Sequence, residues 1–150
     1  MKFQDYKLKK YIKHALQDMG IQTPTEIQEI TIPKILESEH ATILAQAKTG
    51  TGKTLAYSIP LVEKLNSYVP KVQAVILVPT RELCKQISEV ISTLAKYSHL
   101  KTVSIYGGVS ISKQIQKVRS GAQIVIATPG RFIDLVKRRA LPLKKVKFIV

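Results

Sequence analysis

Four stretches of the sequence carry residue types and spacings that suit a phosphorylated ligand. The first is Ala47-Lys48-Thr49-Gly50-Thr51-Gly52-Lys53-Thr54. Phosphate oxygens need several backbone N–H groups aimed at one point, and Gly50 and Gly52 permit that curl and a close approach. A helix opening at Lys53 would add its positive dipole end. Lys53 would reach the β- and γ-phosphates and the Thr54 hydroxyl would ligate Mg²⁺, the two groups nearest the reacting phosphates. Ala47 stands where the strict phosphate-loop pattern has glycine. The next two stretches are Pro79-Thr80-Arg81-Glu82-Leu83 and Thr128-Pro129-Gly130-Arg131, each at a strand-to-helix junction. Each offers helix N-terminal N–H groups, a hydroxyl and an Arg, a set that suits phosphates along a backbone and carries little base readout. Taken singly, Thr80 and Thr128 read as N-caps and Arg81 and Arg131 as surface residues. The fourth stretch, Tyr106-Gly107-Gly108, ends a strand at the same edge.

Thr25-Glu26-Ile27-Gln28 has two readings. The spacing fits a capping box, with Thr25 as N-cap and Gln28 reaching back to its N–H. The Gln28 amide also offers the donor and acceptor that an adenine edge requires. Spacing alone favours the cap.

The elements that must position these residues follow from periodicity. Five short runs rich in Val and Ile, at Thr42–Ala45, Gln73–Val78, Thr102–Tyr106, Gln123–Ala127 and Val146–Val150, are expected strands buried on both faces. Helical stripes alternate with them: Leu55, Ile59, Val62 and Leu65 with Pro60 as an expected kink, then Leu83 to Leu94, then Ile111, Ile115 and Val118. Two helices precede the first strand, one along Leu8 to Met19 and stopped by Gly20, the other from Thr25 to about Leu36. Such alternation predicts an α/β protein, a parallel sheet flanked by helices on both faces. Residues 1–40 are expected to be a helical region of the same domain, and 41–150 its sheet-bearing core. The phosphate-binding junctions then gather at the carboxyl edge of the strands.

Composition narrows the class. The chain has 150 residues, 45% of them hydrophobic, which excludes disorder and allows one real core. A single cysteine, Cys84, excludes a disulfide framework and reads as a packing residue in a reducing compartment. There is no apolar run of membrane-spanning length and no apolar leader, so a cytoplasmic protein without a membrane partner is expected. His14, His40 and His99 lack ligand-like spacing, and no structural metal is expected. The first 40 residues are electrically balanced, so the entire net charge of +14 falls on the remainder. That surplus suits a polyanion. Lys137, Arg138, Arg139, Lys144, Lys145 and Lys147 read mainly as a solvated charge run.

With these residues in hand, the chain resembles the first RecA-like domain of a DEAD-box RNA helicase over essentially its whole length. Gly20 to Gln28 matches the family's Q motif, with Phe3 at the place of its upstream aromatic. Ala45 to Thr54 matches motif I, in which Ala at the position of Ala47 is usual. Pro79 to Leu83 matches motif Ia, Gly107-Gly108 the GG element and Thr128 to Arg131 motif Ib. The resemblance implies ATP and Mg²⁺ as ligands, held by Phe3, Gln28, Ala47, Lys48, Thr49, Gly50, Thr51, Gly52, Lys53 and Thr54, with Gln28 on the adenine. It implies RNA along Pro79, Thr80, Arg81, Gly108, Thr128, Pro129, Gly130 and Arg131, and Asp134 as a local orienting group. It also implies a DEAD box beyond Val150 and a second RecA-like domain supplying an arginine finger, worth about 10³–10⁵ in rate. The parent is then expected to be an ATP-dependent RNA helicase and this chain alone to be catalytically silent. Two alternatives stay open: another P-loop NTPase such as a DNA helicase, and a non-catalytic basic RNA-binding module.

Overall fold

The computed structural model describes all 150 residues. They form two compact units, one of residues 1–65 with 93–98, the other of residues 66–92 with 99–150. The first unit reaches to Leu65.

The first unit is helical. A short 3₁₀ turn, Phe3–Asp5, leads to α1 (Lys10–Asp18), α2 (Glu26–Glu37) and α3 (Lys53–Lys64). Ile12, Ala15 and Leu16 of α1, Ile32 of α2, and Leu55, Ile59 and Val62 of α3 are buried, as their helical spacing requires. Pro33 and Pro60 lie inside their helices, and neither interrupts them. The Lys64 ammonium donates to the Ile35 carbonyl at 2.8 Å, fixing the end of α3 to the end of α2. Thr42–Ala45, an expected strand, is not one: the segment has no ladder partner and Leu44 is 97% exposed. An apolar run becomes a strand only where a neighbour takes its hydrogen bonds.

The second unit holds that sheet. β1 (Ala74–Leu77), β2 (Thr102–Ile105), β3 (Ile124–Ala127) and β4 (Phe148–Ile149) are all parallel, in the order β2-β3-β1-β4. The other four expected strands are thus present. The path steps outward from β1 to β2 and then reverses through β3 to β4. Right-handed crossovers require the helices of the two directions to lie on opposite faces. Val103, Ile105, Val125 and Ala127 accordingly share a core with Val118 of α5 (Ile111–Arg119) and Leu135 of α6 (Pro129–Lys137). Ser104, pointing to the other face, hydrogen-bonds Ser88 of α4 (Arg81–Leu94).

Two buried glutamines close the amino edge of the sheet. Gln73 Nε2 donates to the Asn66 and Val69 carbonyls at 2.8 and 2.9 Å. Gln123 Nε2 donates to Ser67 and Val69 carbonyls, both at 3.0 Å, while its Oε1 accepts from the Lys101 N–H. No helix of the protein is long and apolar enough to cross a membrane.

Candidate nucleotide and nucleic-acid sites

In the first unit, α3 opens at Lys53 behind Gly52, whose φ is +86°. Gly50 adopts φ +83° in the same loop, so both glycines occupy the left-handed region that other residues avoid. The Thr51 hydroxyl closes a turn onto the Lys48 carbonyl at 2.6 Å. The first intrahelical bond runs from the Ala56 N–H to the Gly52 carbonyl, and no side chain caps the helix. The N–H groups of Lys53, Thr54 and Leu55 thus lack helical acceptors, the donor set an anion takes up. Lys48, Thr49 and Lys53 are exposed, and Ala47 is half-buried. Thr54 is half-buried and its hydroxyl bonds the Tyr57 phenol, whose pKa burial raises and this bond lowers.

Gln28 ties this loop to α2. It is buried, its Oε1 accepts from the Thr25 N–H at 3.0 Å, and its Nε2 donates to the Gly52 carbonyl at 3.0 Å. The capping reading therefore holds, and the same amide also braces the phosphate loop. Gly52 admits it: a Cβ there would lie 2.3 Å from Gln28 Nε2. Phe3, expected at the nucleotide, is fully buried, with its ring centroid 5.6 Å from that of Tyr6. Its apolar ring has been taken into the core, and no face of it is open to a ligand; Tyr6 is the ring that reaches the surface.

In the second unit, the carboxyl ends of β1, β2 and β3 carry the other predicted residues. Thr80 Oγ1 accepts from the Leu83 N–H at 3.2 Å, capping α4, and Pro79, Arg81, Gly108, Pro129 and Gly130 are exposed. The Arg81 guanidinium sits 4.8 Å above the Tyr106 ring and the Lys85 ammonium 5.7 Å from it. Two like charges four apart on one helix repel. Their shared aromatic face offsets part of that cost and leaves both cations facing outward. Gly108, at φ +83°, lies close by: a Cβ there would stand 3.5 Å from Arg81 Nη1. Thr128 precedes α6, and its side chain makes no capping bond.

Arg131 differs from expectation. Its Nη1 donates to the Val109 carbonyl at 3.2 Å and to Gln114 Oε1 at 2.9 Å, while Gln114 Nε2 donates to the Tyr106 carbonyl at 3.0 Å. A half-buried guanidinium satisfies its donors on the nearest carbonyls, so Arg131 braces the Gly107–Val109 loop instead of presenting Nη1 to a phosphate. Asp134 pairs with Arg138 Nε at 2.9 Å, a local role as expected. Sequence reasoning missed Lys85 and Gln114. The four-residue spacing from Arg81 signals Lys85, while nothing local signals Gln114.

A glycine-turned loop opening a helix and a parallel sheet with basic strand-to-helix junctions are both features of one class of protein, the P-loop helicases. The DEAD/DEAH box helicase family model matches residues 25–150. The chain belongs to that family. It is 40% identical over 148 residues to the DEAD-box ATP-dependent RNA helicase CshA of Bacillus subtilis, covering 99% of this chain and 30% of that protein. It is 42% identical over 149 residues to the ATP-dependent RNA helicase DeaD of Mycobacterium tuberculosis, covering 26% of it. The crystal structure of a DEAD box protein from Methanococcus jannaschii superposes with a TM-score of 0.93 at 41% identity, over 99% of this chain and 40% of that one. A Dbp5 variant of S. cerevisiae bound to RNA and ADP BeF3 superposes at 0.89 with 31% identity, over 98% and 37%. The chain thus spans less than half the length of these relatives.

Proposed function

We propose that the chain is the ATP- and RNA-gripping part of an ATP-dependent RNA helicase, which separates short duplexes or remodels RNA–protein complexes locally. The observation that carries this reading is the uncapped start of α3 behind two left-handed glycines, braced by buried Gln28. Gly50 to Thr54 would hold the phosphates, the Lys53 ammonium would supply their counter-charge, and the Thr54 hydroxyl, bonded to Tyr57, would be the side chain available to Mg²⁺. Bound Mg²⁺ supplies charge neutralisation at the phosphates. Gln28 has one further N–H and a second lone pair for adenine. Arg81, Lys85, the Gly108 backbone and Thr128 take the sugar–phosphate backbone with little regard for sequence, as the basic balance of residues 41–150 favours.

Hydrolysis needs an acid to hold the metal, a residue to orient water and a finger from a second RecA-like domain. The 150 residues by themselves bind without turnover, in a cytoplasmic setting and beside protein cofactors of unassigned identity. Titration with a fluorescent ADP tests the site. Lys53→Ala should weaken binding by at least about tenfold, as loss of a charge-assisted bond predicts. An unchanged affinity sinks the assignment and leaves the basic RNA-binding module as the better description.

A further inference from the structure

β2 is the outer strand of the sheet, and one side of it is open. The Ile124 N–H bonds the Lys101 carbonyl and the Thr128 N–H bonds the Ile105 carbonyl, so the odd-numbered residues of β2 face β3. By the two-residue period of a strand, the backbone groups of Thr102 and Ser104 face outward. Along this side runs a cavity of about 640 Å³, lined by Lys101 and the strand residues Thr102 to Ser104 on one side and by Ser110, the cap of α5, with Lys113, Gln114 and Lys117 on the other.

Two observations give the cavity a ligand chemistry. Lys113 and Lys117 are exposed, and at four residues apart they stand on one face of α5. Lys101 joins them, its ammonium held 3.2 Å from the Ser120 carbonyl at the end of that helix. No Asp or Glu occurs in the sequence between Glu89 and Asp134, so no carboxylate on β2, α5 or β3 offsets these charges. The Thr102 side chain, by the strand's two-residue period, turns with Ser104 to the α4 face, so the strand borders the cavity chiefly with backbone and with Lys101. Edge strands often carry lysines merely to repel other strands, but that purpose does not account for the second row on α5.

The cavity is continuous with the nucleic-acid edge, because Tyr106 and Val109 line both. We propose that it is a second stretch of the single-stranded RNA path, in which the sugar–phosphate backbone leaves the Gly107–Val109 loop and runs between β2 and α5. This rests on the RNA-binding reading above and extends it. The nine residues of α5 span about 13 Å at ~1.5 Å each, room for two or three nucleotides. Tyr106 is the one aromatic residue in the lining, so contacts are to phosphates and bring no sequence preference.

The test is fluorescence anisotropy with six- and twelve-nucleotide oligouridine on the 150-residue chain and on the triple variant Lys101→Gln, Lys113→Gln, Lys117→Gln. The twelve-mer should bind the variant about tenfold or more weakly, and its slope of log affinity against log salt should flatten by about 2, at ~0.7 for each lost phosphate contact. The six-mer should bind unchanged, which also shows that the variant is folded. The milder pair Lys113→Gln, Lys117→Gln should flatten the slope by about 1.4 on the same scale. Unaltered twelve-mer affinity and slope in both variants overturn the proposal while the primary edge stands, which Arg81→Ala checks by weakening both lengths. Failure of the unsubstituted chain to bind either length overturns the RNA reading itself. Lysine-dependent binding of an oligoglutamate peptide with unaltered RNA affinity reassigns the groove to an acidic protein segment.

Discussion

Gly50 and Gly52 sit two residues apart with nearly the same φ, +83° and +86°, yet the structure assigns them different costs of substitution. At Gly50 nothing lies within 4 Å of an added Cβ, so Gly50→Ala meets only the left-handed penalty, about 1–2 kcal/mol. At Gly52 the same methyl would lie 2.3 Å from Gln28 Nε2 and 3.1 Å from Thr25 Oγ1. Gln28 must leave, losing its bonds to the Gly52 carbonyl and the Thr25 N–H. Stripping partners from a buried amide costs about 1–3 kcal/mol more. Gly52→Ala should therefore destabilise the chain by about 2–5 kcal/mol, out of a total that is typically 5–15 kcal/mol. In a Gln28→Ala background the obstacle is gone, and Gly52→Ala should cost about 1–2 kcal/mol again. Urea unfolding of the four members of this cycle gives the coupling directly, expected at about 1–3 kcal/mol. If Gly50→Ala and Gly52→Ala cost the same and the cycle is additive within about 0.5 kcal/mol, the brace between Gln28 and the loop is refuted.

Other expectations concern the second unit. Gln114→Leu strands the Tyr106 carbonyl and one Arg131 N–H, so it should lower stability by about 1–3 kcal/mol in urea unfolding and weaken RNA binding through the loosened Gly107–Val109 loop. An unshifted midpoint would contradict that. Tyr106→Leu removes the ring beneath Arg81 and Lys85, a contact worth about 0.5–1 kcal/mol per exposed cation, and RNA affinity should fall several-fold. Burial pushes the Cys84 thiol pKa up, so at pH 8 less of it is thiolate than in the unfolded chain. Iodoacetamide should label it at least about tenfold more slowly in the native protein than in urea; equal rates would mean that the side chain is open.

Much of this was legible because it is local. Helix stripes, the glycine loop and the Thr25–Gln28 box are patterns within a dozen residues, and each stands where its spacing predicts. The failures are long-range. Thr42–Ala45 has a strand's composition, but ladder partners lie far away in sequence and no pattern reports their absence. Phe3 fits the position of a family aromatic, yet whether its ring meets ligand or core is decided by α1 and the 3₁₀ turn around it. Arg131 reads as a phosphate contact until Gln114, seventeen residues earlier, supplies an acceptor. The junction hydroxyls divided: Thr80 caps α4 as the plainer reading had it, while Thr128 leaves its helix uncapped.

The paired amides of Gln73 and Gln123 give the sheet a polarity beyond the direction of its strands. At the amino edge, buried side chains satisfy the backbone internally. At the carboxyl edge, exposed glycines and cations face solvent, where the proposed RNA path runs. On that proposal, folding and recognition are inscribed at opposite ends of the same sheet. Drift at the carboxyl edge can retune what is gripped without loosening the fold, whereas the two glutamines leave almost no room for variation.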